Sequence, residues 1–478
     1  MSEPTCPWPI VVAVVSALLG TSACAVGVKY QRPETPAPPA FHESLPAGWT
    51  DAQPTDSVPR GRWWEVYKDA GLDALERQVT ISNENVLAAE AQFRAAQAAV
   101  SVIRAGQFPS VTTTPAAAIS GTGATSGQAR QYSIPVGVTY EADVWGSIRH
   151  DVAAGVAVAQ ASAAQLENAR LLYQAELASD YFQVQGLDAE QQLLETTVTS
   201  DEQYVQLTQD RFQGGVASMG DVALAQTQLE TVRAQLIDLD TARAQFEHAI
   251  AVLTGRPPSE LAVPHFSNEA LPPSLSVGLP STLLERRPDI AEAERQVAAA
   301  NAQIGVAKAA FYPALSFGGS AGSQAVAIAN LLTTPTLLWS VGAQIAETLF
   351  DGGKRRAQVR LTEAGYDATV ANYRQTVLTG FQQVEDALVE LRTLTREADT
   401  VERAVAAAQQ SLDIATIQYR GGLTSYLQVI TAQASLLQNQ RSAVDVLTKR
   451  LVGSVSLIQA LGGGWDASQL PSTQDVLH

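Results

Sequence analysis

The sequence predicts a mainly α fold with a small β part, in which one unit of two strands plus long coiled-coil helices occurs twice. Three observations predict it. The stretch from Lys354 to Arg420 has no proline, although the chain holds 23. Its larger apolar residues, Val370, Tyr373, Val377, Phe381, Val384, Leu388 and Leu391, recur about every 3.5 residues, the period of a helix seamed against another helix. Four landmarks of the first half return in the same order in the second half. A helix from Lys354 to Arg420 would be about 100 Å long, too long for the core of one compact domain.

Composition narrows the class. The chain has 478 residues and a net charge of −17. Nucleic acid is a poor partner for it, because phosphates need Lys and Arg. Charged residues are 17%, low for a solvated coiled-coil rod and suited to helices with several buried faces. The two cysteines, Cys6 and Cys24, build neither a disulfide framework nor a zinc site. His42, His150, His248, His265 and His478 show no ligand spacing, so no metal or cofactor is expected.

At the N-terminus, Ile10 to Gly20 is an unbroken run of small and apolar residues. It is too short for a bilayer core, which needs about 20 residues, and fits the apolar region of a signal peptide. Residues 1–23 are read as that signal. Thr21-Ser22-Ala23-Cys24 resembles the lipobox of bacterial lipoproteins, with Thr21 where leucine is usual and no Lys or Arg in residues 1–9. A plain secretory signal is the alternative. A lipidated Cys24, carrying palmitate, would hold the chain at a membrane surface. Ala25 is not the aspartate that signals inner-membrane retention of lipoproteins. Residues 24–61 read as an extended strap, with seven prolines between 25 and 60.

The body is duplicated. Gln107-Phe108-Pro109 echoes Phe311-Tyr312-Pro313, and Val144-Trp145-Gly146 echoes Phe350-Asp351-Gly352. Arg211 to Ser218 echoes Gln418 to Ser425, and Leu253-Thr254-Gly255 echoes Leu461-Gly462-Gly463. The spacing is roughly 204–208 residues throughout, so one large unit is repeated. The first repeat is placed at 62–260, a linker at 261–280, the second repeat at 281–463 and a tail at 464–478. Each repeat opens with a helix, Leu72 to Gly106 or Asp289 to Ala310. Two strands follow, at 108–121 and 131–144, or at 312–324 and 336–349. A long helix, a Gly-Gly reversal and a second helix of about 35 residues close the unit.

The strands alternate. Tyr132, Ile134, Val136, Val138 and Tyr140 share one face, and Ser133, Gly137, Thr139 and Glu141 the other. Leu337, Trp339, Val341, Ala343 and Ile345 repeat the pattern, as do Leu315, Phe317, Gly319 and Ala321. Segments of about 10 residues with one apolar face and aromatic ends suit transmembrane β-barrel strands. A soluble sandwich sheet is the alternative. Four strands leave two open edges, which lipid does not tolerate, and the smallest such barrels have about 8 strands. At least two copies are therefore needed around an axis.

Several strings then coincide with one family. Cys24-Ala25-Val26-Gly27 before Tyr30 and Arg32-Pro33, Trp63-Trp64, and Ile81-Ser82-Asn83-Glu84-Asn85 resemble the start of lipid-anchored outer membrane factors. Leu283-Leu284-Glu285-Arg286-Arg287-Pro288-Asp289-Ile290 is the most specific string, with Tyr312-Pro313 and Leu349-Phe350-Asp351-Gly352-Gly353 following in register. From about residue 24 to 463 the chain resembles the TolC family, in its branch of NodT-type outer membrane efflux lipoproteins.

The resemblance implies a homotrimer, whose strands form one 12-stranded outer-membrane β-barrel continued by a periplasmic α-helical barrel. It implies a passive exit duct for small molecules, fed by an inner-membrane transporter through a periplasmic adaptor. A type I protein-secretion duct and a non-channel periplasmic scaffold are the alternatives. By match to the family, Leu427 and Thr431 stand at the periplasmic aperture, with Thr431 where relatives often carry an acid. Gly215, Val216 and Ser218, and Gly422, Leu423 and Ser425, stand at the adaptor-contact tips. Gly318-Gly319-Ser320-Ala321-Gly322 fits the nucleophile-elbow pattern, but Ser320 lies inside an alternating strand and no His or acid completes a triad. The chain is therefore not read as an enzyme.

Overall fold

The computed structural model describes residues 26–35, 38–43, 50–51, 61–121, 129–266, 272–273, 276–277, 285–333 and 336–477. The expected signal segment and Cys24 lie outside the described residues. The strap begins at the junction of sheet and helices, where Val26 N donates to Trp145 O at 3.1 Å and the His150 ring lies 2.9 Å from Val26 O. It then follows the second repeat. Tyr30 donates to Glu294, Arg32 Nε donates to Tyr373 Oη at 3.0 Å, and Glu43 pairs with Arg392 at 2.6 Å. Further along the strap, strand β1 (Thr50–Asp51) makes a short parallel pairing with a strand of the linker.

Helix α1 (Ala70–Ser82) and helix α2 (Glu84–Ala105) occupy the range expected for one first helix. Asn83 divides them. Its backbone is extended (φ −68°, ψ 119°), and its side chain accepts from Asn85 N and Val86 N, capping α2. Its Nδ2 also donates to Leu253 O at 2.9 Å, so the break ties the opening helices to the end of the first hairpin.

Strands β2 (Ser110–Thr113) and β3 (Ala116–Ser120) both pair antiparallel with β4 (Ala129–Ala142). The register runs through the gap, with Thr113 opposite Val136 before it and Ala116 opposite Ser133 after it. The two segments are thus one strand position, interrupted where Pro115 has no N–H to give. Helix α3 (Ser147–Gln213) and helix α4 (Met219–Leu253) form the first hairpin. Strand β5 (Ser276–Val277) is the partner of β1. Helix α5 (Pro288–Ala309), strands β6 (Ala314–Ala325) and β7 (Leu337–Ala346), helix α6 (Lys354–Arg420) and helix α7 (Tyr426–Ala460) form the second repeat. Helix α8 (Thr473–Leu477) closes the chain.

The hairpins match closely: α3 and α6 have 67 residues each, and α4 and α7 have 35 each. The long helices start alike. Left-handed Gly146 and Gly353 precede them, and Asp143 and Asp351 accept from backbone N–H groups of the first turn. Arg149 and Arg355 clamp those carboxylates at 3.1 and 2.7 Å. The apolar seams meet in two cores around mid-length. One gathers Trp63, Leu72, Leu177, Tyr181, Phe182, Ile250 and Val455; the other Ile290, Tyr373, Val377, Val384, Leu388 and Leu457. The tail returns to the first repeat, where Val476 packs on Val100 and Val156 and Arg104 donates to Leu477 O at 3.0 Å.

Candidate functional site

The sheet comes first, because it decides what the helices continue. Strand order is β2/β3, β4, β6, β7. Tyr140 faces Phe317, Val138 faces Gly319 and Val136 faces Ala321. Phe317 in turn faces Ala343, Gly319 faces Val341 and Ala321 faces Trp339. Val111 lies opposite Val138. A slip of one residue would flip every side chain, and the register instead sets all the apolar faces on one side. The other side carries Gly137, Thr139, Gly318, Ser320, Ser340 and Gly342. Hydroxyls pair across it, Ser110 with Thr139 at 2.7 Å and Ser320 with Ser340 at 2.8 Å. Glycines and hydroxyl residues predominate on that side, with Glu141, Gln344 and Leu338 among them.

The apolar side is uncovered. Trp339 is 76% exposed and Val341 82%. Strand β7 is exposed along its whole length, and the β2/β3 and β7 edges have no strand partner among the described residues. Ser320 lies within β6, paired across to Gly137 and Ser340, so the elbow geometry of a hydrolase is absent from this segment. Among the described residues, no three His, Cys, Asp or Glu side chains converge as a metal site.

At the far end of the helices, each hairpin turns on a glycine with positive φ, 72° at Gly215 and 75° at Gly422. Val216 N donates to Arg211 O and Leu423 N to Gln418 O, both at 2.9 Å, which closes the last turn of each long helix. Val216 and Leu423 are left 67% and 82% exposed, so each tip presents a bare apolar side chain, joined at the first tip by exposed Met219. Ser218 caps α4 in a reciprocal capping box with Asp221. Ser425 holds the matching place before α7 but makes no side-chain cap.

Leu427 and Thr431 lie on the exposed face of α7, one turn apart. Thr431 Oγ1 donates to Leu427 O at 2.8 Å, so its hydroxyl proton serves its own helix. The opposite face is packed: Tyr426, Val429 and Ala432 meet Ala225, Ala415 and Tyr419. Two contacts that sequence reasoning missed bind the hairpins together here. The Arg211 guanidinium lies over the Tyr419 ring, 4.7 Å from its centroid, and donates to Arg420 O at 3.2 Å. Deeper in, Gln433 Nε2 donates to Asp201 Oδ1 between α7 and α3, and both side chains are buried. Burial pushes the Asp201 carboxyl up to about 6, with the Gln433 hydrogen bond acting against it.

Comparison with known proteins places this architecture. The profile of the outer membrane efflux protein family matches residues 75–256 and 279–463. The chain is 31% identical over 462 residues to the probable efflux pump outer membrane protein TtgC of Pseudomonas putida, covering 95% of each. It is 30% identical over 468 residues to the outer membrane protein OprJ of Pseudomonas aeruginosa, covering 95% of this chain and 96% of that one. The solved outer-membrane channel OprN superposes with a TM-score of 0.83 at 29% identity, over 92% of this chain and all of that one.

Proposed function

Because the chain belongs to the outer membrane efflux protein family, we propose that three copies of it build one exit duct across the outer membrane and the periplasm. The channel role itself follows from the family and from efflux-pump relatives along nearly the full length. In the proposed assembly, four strand positions from each copy close a 12-stranded barrel, and the long hairpins continue it as a tube. The observation that carries this reading is the open-edged sheet. Its two unpaired edges and uncovered apolar face call for further copies and for lipid, while its Gly, Ser and Thr face suits a water-filled bore.

The remaining parts follow in order along the tube. Cys24 carries the lipid anchor, and the strap's bond from Val26 to Trp145 lies at the strand end of the helices. Leu427 and Thr431 form the aperture at the other end, on the exposed face of α7. Gly215, Val216, Ser218, Gly422, Leu423 and Ser425 meet a periplasmic adaptor, which joins the duct to an inner-membrane transporter. The names of the relatives speak of efflux pumps, which favours small molecules over secreted proteins as cargo.

Detergent-extracted protein should run as a trimer and conduct ions in a planar bilayer. A stable monomer without conductance would sink the proposal.

A further inference from the structure

Asp201 and Gln433 sit between α3 and α7, 1% and 4% exposed. One hydrogen bond joins them, from Gln433 Nε2 to Asp201 Oδ1. The other two polar atoms of the pair, Asp201 Oδ2 and Gln433 Oε1, are buried with no partner. Both are acceptors when the carboxyl is ionised. Two buried acceptors without a donor cost roughly 1–3 kcal/mol each. One proton removes the mismatch. A carboxylic acid gives its O–H to the amide oxygen while its carbonyl takes the amide N–H, and all four atoms are satisfied.

We propose that Asp201 and Gln433 form a proton-operated latch, in which a proton from solvent on Asp201 Oδ2 is donated to Gln433 Oε1 and locks α7 against α3. The proposal rests on the reading of Leu427 and Thr431 as the aperture. The latch lies less than two helical turns from Thr431 along α7. If that end of the helix carries the constriction, widening it requires α7 to move relative to α3.

The surroundings do not neutralise an ionised Asp201. Tyr204 of α3, Tyr426 of α7 and Tyr419 of α6 form a ring cluster beside it, with centroid separations of 6.1 and 5.4 Å about Tyr426. The nearby cation on α4, Arg233, is held by Glu202 and Glu230 on the outer surface at 2.7 and 2.8 Å. Proton loss therefore leaves a buried negative charge with a single donor, which weakens the seam.

The sign follows from the raised carboxyl. The packed seam binds the proton up to about pH 6, whereas a solvated aspartate releases it near 3.8. The latch is at full strength below 3.8 and is lost as pH rises through about 6.

The test uses the full-length protein. In planar bilayers, open probability should rise as pH is raised across this window and stay level above it. Asp201→Asn keeps the donor and acceptor pattern of the protonated acid without an ionisable group, and should abolish the rise and hold the channel at its low-pH level. Gln433→Glu places two carboxyls around one proton and should move the transition to higher pH, to a proton concentration lower by about tenfold or more. An Asp201→Asn channel with the wild-type pH response overturns the proposal. Infrared difference spectra provide a second readout. A protonated-carboxyl band should titrate in wild type and be missing in Asp201→Asn, and its presence unchanged in the variant also overturns the proposal. That band reports the proton wherever the aperture lies, so the latch and the aperture assignment fail separately.

Discussion

The α-carbon of Gly255 is pressed against the backbone of Ser82: a Cβ at Gly255 would lie 2.1 Å from the Ser82 carbonyl oxygen. The second repeat has the same contact, where a Cβ at Gly462 would lie 2.0 Å from Arg286 O. Both glycines also have positive φ, 69° and 92°. Each closing helix thus ends by docking on the backbone where its repeat's opening helices bend or begin. Gly255→Ala and Gly462→Ala should each destabilise the protein by roughly 3–5 kcal/mol, combining backbone strain with a clash that cannot relax through a side chain. Thermal unfolding of the purified variants checks this, and an unchanged transition would show that the contact yields easily.

Glu76 should be a standing cost to the fold. It is 0% exposed in the first core, and neither carboxylate oxygen has a partner. Burial pushes its pKa well above the usual carboxylate value of 4.5, and the charge of Asp73 adds to the rise. The folded chain therefore keeps a proton that the unfolded chain releases. This stabilising term is complete below pH 4.5 and is lost as pH rises through the folded pKa. Glu76→Met, similar in length and apolar, should raise stability by about 1–3 kcal/mol at alkaline pH. It should gain little in acid. Melting temperatures followed against pH give the comparison.

The linker is fastened by a buried ion pair. Arg243 Nε meets Asp188 Oδ1 at 2.6 Å, Asp188 Oδ2 accepts from Phe266 N at 3.0 Å, and Arg243 also donates to Val263 O at 3.0 Å. Arg243→Ala would leave the buried Asp188 carboxylate without its guanidinium, with only Phe266 N and the partly exposed His265 ring beside it, at a cost of about 3 kcal/mol. It should also free the segment after Val263, so that limited proteolysis cuts there first. Protection equal to wild type would mean that the pair does not hold the linker.

The aperture assignment has a direct check. With Thr431→Cys, crosslinking between copies should cut ion conductance several-fold, and reduction should restore it. Leu427→Ala should raise conductance by a smaller factor, because only side-chain bulk is removed. Crosslinks that form and leave conductance unchanged would place the constriction elsewhere.

Cys24→Ser should abolish labelling by a palmitate analogue while leaving the proposed trimer able to form, since neither the strands nor the helical seams include residue 24. Labelling that persists in the variant would move the anchor to another residue.

Much of the helical part could be read from residue order. Glycine-bounded, proline-free runs with an apolar period near 3.5 delimit α3 and α6, because local sterics and a repeated seam act along one helix. Two breaks were harder to see. The apolar pattern passes through Asn83, yet the Asn83 side chain serves both the turn after it and Leu253, which is 170 positions away. The first strand position reads as one segment, but Pro115 divides it into β2 and β3 without changing the register. The repeat offset also needed coordinates. Gly255 and Gly462 are the equivalent residues, since each follows a 35-residue helix and meets a carbonyl, whereas the strings pair Gly255 with Gly463.

By itself the sequence determined the periodic properties of this protein: the duplicated unit, the long helices, the alternating strands and the glycine turns. Each of these depends on neighbours within a few residues, where sterics and hydrophobic period act directly. Only the tertiary structure decided which distant groups share one low-dielectric space. Asp201 and Gln433 lie 232 positions apart, and nothing local in either residue shows that two of the four polar atoms they bring together are buried acceptors without a partner. Glu76 looks like an ordinary helical acid until α1 is packed and both its oxygens are shut away from water. Burial belongs to the packed assembly of helices, and burial sets the charge of these two acids.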